Sequence, residues 1–497
     1  MSDSVTVPGP HGSPAVDQTF SNFNNNAIAL QIANAIAAAS TLGGLNVTVP
    51  GPNNTVPSPP TSSVTGGVNE LVITAGGSYH IPPGSPGAPD YVVVLDNTAP
   101  VTIFGSPNTS VWGGGSQVTI INAAETTLSE GAGNAAATLT GAGDILAGND
   151  QKDTLTAAGN AESIAGGAGA NLLVASGAND TISAAGVATF QLAAAATDDV
   201  AVGGQGASTV TDAGTGDTIF AGQGRTNVTT SGSNASVVGG SAELDVADKG
   251  SGDTIAAGTA AAFVTLAGSG ALVSGGVGTA GASLSVIDHG TSDTIAAGSA
   301  FTAVTTSGGS FVQGGTGQLN FVGGTGPSTI VGGSGDSSVF GGTGLTSLVG
   351  GNGGAVTYVN TTSGGLFYAG RLGNETIDAS LSKGINTIYG SGDPSGHNLL
   401  VGGVGTDYIN AGAGSDTMVG NGGANTFFFF KTVVGPSAND FISDFSSRDN
   451  VLLVGYGPGF TTSTTGGSTT ITLSDNTKIT FSGVTDPGAL NGRIGQV

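Results

Sequence analysis

Residues 314 to 358 read GGTGQLNFV, GGTGPSTIV, GGSGDSSVF, GGTGLTSLV and GGNGGAVTY, five nine-residue units in direct succession. A glycine-rich turn of five or six residues reverses the chain, because only glycine accepts the tight backbone there without steric cost. A strand of about three residues follows and turns one apolar side chain inward. Two units close one coil. A single unit buries nothing, so the pattern predicts stacked coils that share a ladder of aliphatic side chains and satisfy one another's backbone groups.

The same spacing extends in both directions. Upstream, Asp144-Ile-Leu, Asp153-Thr-Leu, Glu162-Ser-Ile, Asn171-Leu-Leu and Asp180-Thr-Ile follow one another at nine-residue intervals. The phase slips near Phe190, resumes from Ser208-Thr-Val to Ala271-Leu-Val, and returns after an insertion near Gly281 at Leu284-Ser-Val, Asp293-Thr-Ile and Thr302-Ala-Val. Downstream, residues 402 to 428 read GGVGTDYIN, AGAGSDTMV and GNGGANTFF. The expected fold is all-β: a right-handed parallel β-roll or β-solenoid of nonapeptide repeats over residues 141–428. Residues 1–65 form an N-terminal helix, expected from about Asp17 to Ser40, and a Pro-rich linker. Residues 66–140 form a small β region leading into the solenoid, and residues 429–497 a C-terminal β cap with a secretion signal.

Composition supports this reading. The chain has 91 glycines in 497 residues, 38% hydrophobic residues and only 8% charged ones. A glycine excess without a G-X-Y period excludes collagen and demands recurring turns. The net charge of −24 argues against nucleic-acid and anionic-membrane partners and favours a divalent cation. With no cysteine there are no disulfides, thiolate metal sites or cysteine nucleophiles. No basic and apolar leader stands between Met1 and Pro14, and the apolar stretch from Ala27 to Ala39 is too short to span a bilayer, so neither a Sec-type signal nor an integral membrane protein is expected.

The nonamers follow the GGxGxDxUx pattern, and the chain resembles the hemolysin-type calcium-binding (RTX) repeat proteins, which fold as parallel β-rolls. The segment from Ala424-Asn-Thr-Phe-Phe through Asn439-Asp-Phe-Ile-Ser-Asp-Phe445 to Asp449-Asn-Val-Leu-Leu453 is similar to the C-terminal domain of serralysin-like secreted proteins. Together these resemblances imply Ca²⁺ as cofactor, type I secretion by an uncleaved C-terminal signal, and folding triggered by external calcium. In such rolls the sixth-position Asp and turn carbonyls from coils 18 residues apart enclose each ion, a hard cation that takes six to eight oxygens. Transferred residue by residue, this logic nominates Asp407 with Asn425, and Asp416 with Asn398. Asp144, Glu162, Asp180 and Asp198, also spaced by 18, would share one edge of the roll, with Asp153 and Asn171 on the other. The alternative is that these residues cap turns through Asx-type hydrogen bonds.

The five nonamers from Gly314 depart from the pattern. Their sixth positions are Leu319, Ser328, Ser337, Thr346 and Ala355, none a carboxylate. Glycine geometry there outlasts metal chemistry, which points to a rod. No catalytic centre is legible: His11, His80, His289 and His397 form no HExxH helix, and neither a G-x-S-x-G elbow nor a P-loop is present. Asp288-His289 and Asp393 with His397 read as surface turn residues. The expected function is therefore structural and non-enzymatic: a secreted surface or extracellular-matrix protein, such as an S-layer, adhesin, biofilm or filament subunit, that associates with itself, with cell-surface polysaccharide as a second candidate partner. The rival expectation is a polysaccharide-active lyase or epimerase with a site on the roll or around Tyr79 to Trp112.

Overall fold

The computed structural model describes residues 3–7, 16–20, 23–61, 65–84, 90–105, 108–113, 117–121, 125–130, 134, 136–149, 151–276, 282–352, 356–359, 365–368, 374–431, 433 and 437–497. His11, the insertion at Gly281 and the Ala355 position lie outside them. The chain forms two compact units, Met1–Thr254 and Ile255–Val497.

In the first unit the helix runs from Phe23 to Thr41 rather than from Asp17. Val16–Phe20 pairs instead with Asp3–Val7 as an antiparallel ladder, a state that suits its Val and Thr better than a helix does. Gly43, at φ +72°, ends the helix, and Gly44 N–H bonds back to the Ala39 carbonyl at 2.8 Å, a glycine-based C-terminal closure. Ile32, Ala33 and Ile36 of the helix are buried against Val72, Val94 and Trp112.

The remaining strands of this unit form two parallel sheets: Leu45–Thr48 pairs with its successor Val68–Ile73, and from there each strand pairs with the next-but-one strand in sequence. Inward side chains stack in register: Leu146 on Ile164, Ile164 on Ile182, Ile182 on Ala201 in one sheet, and Leu155 on Leu173, Leu173 on Phe190, Phe190 on Val210 in the other. All are buried. Residues 66–140, set apart by sequence as a small β region, pair within these same sheets, with Leu128 opposite Leu146 and Ala137 opposite Leu155.

The second unit repeats the construction. Val264, Val286, Val304, Phe321, Val339 and Tyr358 form one inward column, and Val273, Ile295, Val312, Ile330 and Leu348 the other. The nonamer glycines are dictated by coil-to-coil approach: a Cβ on Gly333 would collide with the Gly315 carbonyl of the preceding coil. Towards the C-terminus the column turns aromatic, with Phe427, Phe429 and Phe481 buried and Phe445 edge-on to Phe481 at 5.0 Å. There Ser468–Thr472 pairs antiparallel with both Thr461–Thr465 and Lys478–Phe481, while Lys478–Phe481 and Ile494–Gln496 keep parallel partners in Asn439–Ile442 and Asn450–Val454. The fold is thus a parallel β-solenoid, as the repeat predicts. Among the described residues no helix is long and apolar enough to cross a membrane.

Candidate metal centre

The sixth-position residues occupy one kind of station throughout. Each sits at the turn-to-strand junction with its side chain buried, and at most of the Asp and Asn stations one side-chain oxygen accepts the main-chain N–H of the corresponding station one coil earlier. Asp144 Oδ1 takes Thr126 N–H at 2.7 Å, Asp180 Oδ1 takes Glu162 N–H at 2.9 Å, and Asp217 Oδ1 takes Asp199 N–H at 2.9 Å. On the other edge Asn171 Oδ1 takes Asp153 N–H at 3.2 Å. Glu162, one methylene longer, turns back to Gly159 N–H of its own turn at 3.1 Å. The side chains therefore do cap backbone, but mostly across coils rather than within one turn.

Asp198 is a correction. It is exposed and adopts φ +58°, while Asp199 is fully buried and takes Asp180 N–H at 2.8 Å. Nineteen residues separate that pair, so this coil carries one extra residue, and the loop absorbs it at Asp198.

In this first ladder the second oxygens of Asp144, Glu162, Asp180, Asp199 and Asp217 are buried without a hydrogen-bond partner. Burial raises the pKa of Asp144 and Asp180 above the usual carboxylate range. Burial, reinforced by Asp180 and Asp144, pushes Glu162 up to about 8, and burial pushes Asp199 to about 7. A buried column of acids without counter-charge favours either protons or a bound cation.

The second unit brings the C-terminal candidates together in two ladders. Along one, Glu375 N–H donates to Asn398 Oδ1, Asn398 N–H and Nδ2 donate to Asp416 Oδ1 at 3.1 and 2.7 Å, and Asp416 N–H donates to Asp440 Oδ1 at 3.0 Å. Along the other, Asn386 N–H donates to Asp407 Oδ1 at 2.8 Å, Asp407 N–H to Asn425 Oδ1 at 2.9 Å, and Asn425 N–H to Asp449 Oδ1 at 2.9 Å. Both predicted pairs are in direct contact. Asp440 and Asp449 extend the ladders at a spacing of 24, which a search at multiples of nine does not find. Asp440 is pushed to about 8 by burial, with Asp416 adding to the rise.

Between these ladders the stations change chemistry. Ser310, Ser328, Ser337, Thr346 and Leu319 are all buried, yet strand register continues unbroken, Leu319 opposite Ser337 and Ser328 opposite Thr346. Of the histidines, His289 and His397 are exposed and bond to Ser307 Oγ and the Ser415 carbonyl, and His80 stacks on Phe104.

Calcium fits these stations unequally. Among the described residues no three His, Asp or Glu side chains converge as a metal cluster. An ion would therefore take most of its oxygens from turn carbonyls, with one or two carboxylates supplying charge. The orphaned oxygens of Asp144, Glu162, Asp180 and Asp440 suit that role. At Asp407 and Asp416 the outer oxygens instead accept Gly403 and Gly412 N–H, so a cation there must displace backbone hydrogen bonds.

The family model of the RTX calcium-binding nonapeptide repeat matches this chain in four copies, over residues 140–173, 156–186 and 395–427. Those matches cover Asp144, Glu162 and Asp180 in the first unit and Asn398, Asp407, Asp416 and Asn425 in the second, and they omit the Ser/Thr stations. No curated protein matches the chain.

Proposed function

We propose that this chain is a secreted, calcium-binding repeat protein whose solenoid serves as building material, an S-layer, adhesin or filament subunit at a bacterial surface or in its matrix, and that it is not an enzyme. The observation that carries the reading is the run from Ser310 to Val349, where coil register is kept although every metal station is neutral. A chain built only to sense calcium has no use for such coils; one built to hold a periodic surface does. Tyr79, Tyr91 and Trp112, the aromatics a glycan site would use, are buried. The resemblance of residues 424–453 to serralysin-like C-terminal domains supports export by a C-terminal signal.

Self-association is the working mechanism. Leu45–Thr48 and Thr461–Thr465 each pair on one side only among the described residues, and the latter is exposed at all five positions. Strand edges of this kind accept a partner strand. Electron microscopy of the purified chain in calcium should show filaments or arrays that disperse in chelator. Deleting residues 1–65, which removes the Phe23–Thr41 helix and the Leu45–Thr48 strand, should abolish them, with far-UV circular dichroism checking that the remaining coils stay folded. Dispersed monomers that degrade a polysaccharide would overturn the reading.

A further inference from the structure

We propose that the first unit holds a second class of cation site, one hard divalent ion bound inside each D-x-G-x-x-D turn between two carboxylates of that same turn. The turns are Asp212-Ala-Gly-Thr-Gly-Asp217 and Asp248-Lys-Gly-Ser-Gly-Asp253, with their first acids 36 residues, two coils, apart. The inference adds Asp212 and Asp248, which lie outside the nonapeptide stations, as partners of the station acids Asp217 and Asp253, and through those two it rests on the calcium reading above.

The first Asp stands where the nonamer carries its opening glycine. It is the last residue of strands Ser208–Asp212 and Leu244–Asp248, and in both it points inward and is buried. Register places Asp212 opposite Thr230 and Thr230 opposite Asp248. Each first Asp spends Oδ1 on its own turn: Asp212 takes Gly214 N–H at 2.8 Å and Asp248 takes Gly250 N–H at 2.7 Å. The second oxygens of Asp212, Asp217 and Asp248 have no partner. Asp212 and Asp217 nonetheless lie within hydrogen-bonding reach of each other, as do Asp248 and Asp253. Thr230 Oγ1 completes the second turn, 3.0 Å from Asp248 Oδ1 and 3.4 Å from Asp253 Oδ2. Main-chain oxygens converge as well: a Cβ on Gly214 would meet both Asp217 Oδ2 and the Ala196 carbonyl, and one on Gly250 both Asp253 Oδ2 and the Gly232 carbonyl.

Among the described residues no ion pair reaches either turn. The nearby cations, Arg225 and Lys249, are exposed, and Arg225 is engaged by Glu243 and Asp245. Burial raises Asp212 and Asp253 to about 7, with the facing acid adding to the rise. Thr230, at the same column position one coil away, makes the ladder contact without any charge. What the acids add is an anionic oxygen aimed across the turn, and an all-oxygen donor set selects a hard divalent ion. The second unit offers a built-in contrast. Asp288 heads a similar turn, but its Oδ1 takes Gly290 N–H and its Oδ2 takes the hydroxyls of Thr306 and Ser310, so it is satisfied without an ion.

The test is calcium stoichiometry of the full chain by equilibrium dialysis, with far-UV circular dichroism as the fold control. Asp212→Asn/Asp248→Asn should bind two fewer ions than wild type, because asparagine keeps the shape and can donate to the facing acid. Asp288→Asn should lose none. Asp144→Asn/Asp180→Asn reports separately on the nonapeptide stations, so failure of one class is distinguishable from failure of the other. An unchanged count in Asp212→Asn/Asp248→Asn means the pairs hold a shared proton and overturns the proposal. If that variant does not fold, Thr230→Val decides: one site about tenfold weaker supports it, and unaltered binding overturns it.

Discussion

Asp407 is bonded both up and down its ladder: its main-chain N–H donates to Asn425 Oδ1 at 2.9 Å, while its own Oδ1 accepts Asn386 N–H and Nδ2, each at 2.8 Å. Its Oδ2 takes Gly403 N–H at 2.6 Å. The carboxylate is therefore a backbone cap before it is a metal ligand. Asp407→Ala leaves three buried donors unmatched and should cost about 3 kcal/mol or more, measured by urea unfolding in chelator. A variant that loses stability only in the presence of calcium would show that the metal, not the capping, sets the role of Asp407.

Chelation should act unevenly along the chain. Ser328, Ser337 and Thr346 bury hydroxyls at their stations, whereas Asp144, Glu162 and Asp180 bury acids with an orphaned oxygen each. Removing a cation exposes only the second set to uncompensated charge. Hydrogen exchange in calcium and in chelator should show faster exchange over 140–186 and unchanged protection over 314–349. Uniform loss across both stretches would mean the metal stabilises every coil alike.

The coil was legible because its two constraints are local: glycine where coils touch and one apolar residue per strand, both at fixed spacing. From Leu45 to Leu139 the same sheets form from coils of unequal length, Tyr91 opposite Asn69 but Thr127 opposite Ser110, so no fixed period marks them. The station residues were legible for the same reason, and failed where a coil changed length. Asp198 and Asp199 are equivalent by composition, and only the extra residue between Asp180 and Val200 decides which is buried. Asp440 and Asp449 were hidden by a 24-residue step. The acids Asp212 and Asp248 had a signal, D-x-G-x-x-D at double-coil spacing, which a reading tuned to the sixth position passes over.

Glycine in these turns is required by neighbours rather than by its own backbone. Gly333→Ala drives a Cβ into the Gly315 carbonyl, and neither backbone can retreat without breaking strand register. About 3 kcal/mol or more of destabilisation should follow. Gly392 is exposed, faces open space and has no left-handed φ, so Gly392→Ala should lie within about 1 kcal/mol of wild type. Thermal unfolding of the two variants side by side checks the claim, and equal effects would refute it.

Glu70 gives the chain a pH dependence that can be isolated. It lies on Val68–Ile73, opposite Val47 and Val92, fully buried with both carboxylate oxygens unpartnered. Burial pushes its pKa from 4.5 to about 7. Below the unfolded value both states hold the proton and the ionisation of Glu70 adds no cost. As pH rises to and through about 7 the unfolded chain ionises first, and the folded state loses on the order of 3 kcal/mol. Glu162, Asp199, Asp212 and Asp253 are shifted into the same range, so the informative quantity is the difference between wild type and Glu70→Gln at each pH. The two should unfold alike near pH 4, and the variant should be the more stable near pH 8. A constant difference across that range would mean that the Glu70 carboxyl keeps one protonation state in the fold, or finds a partner on ionising.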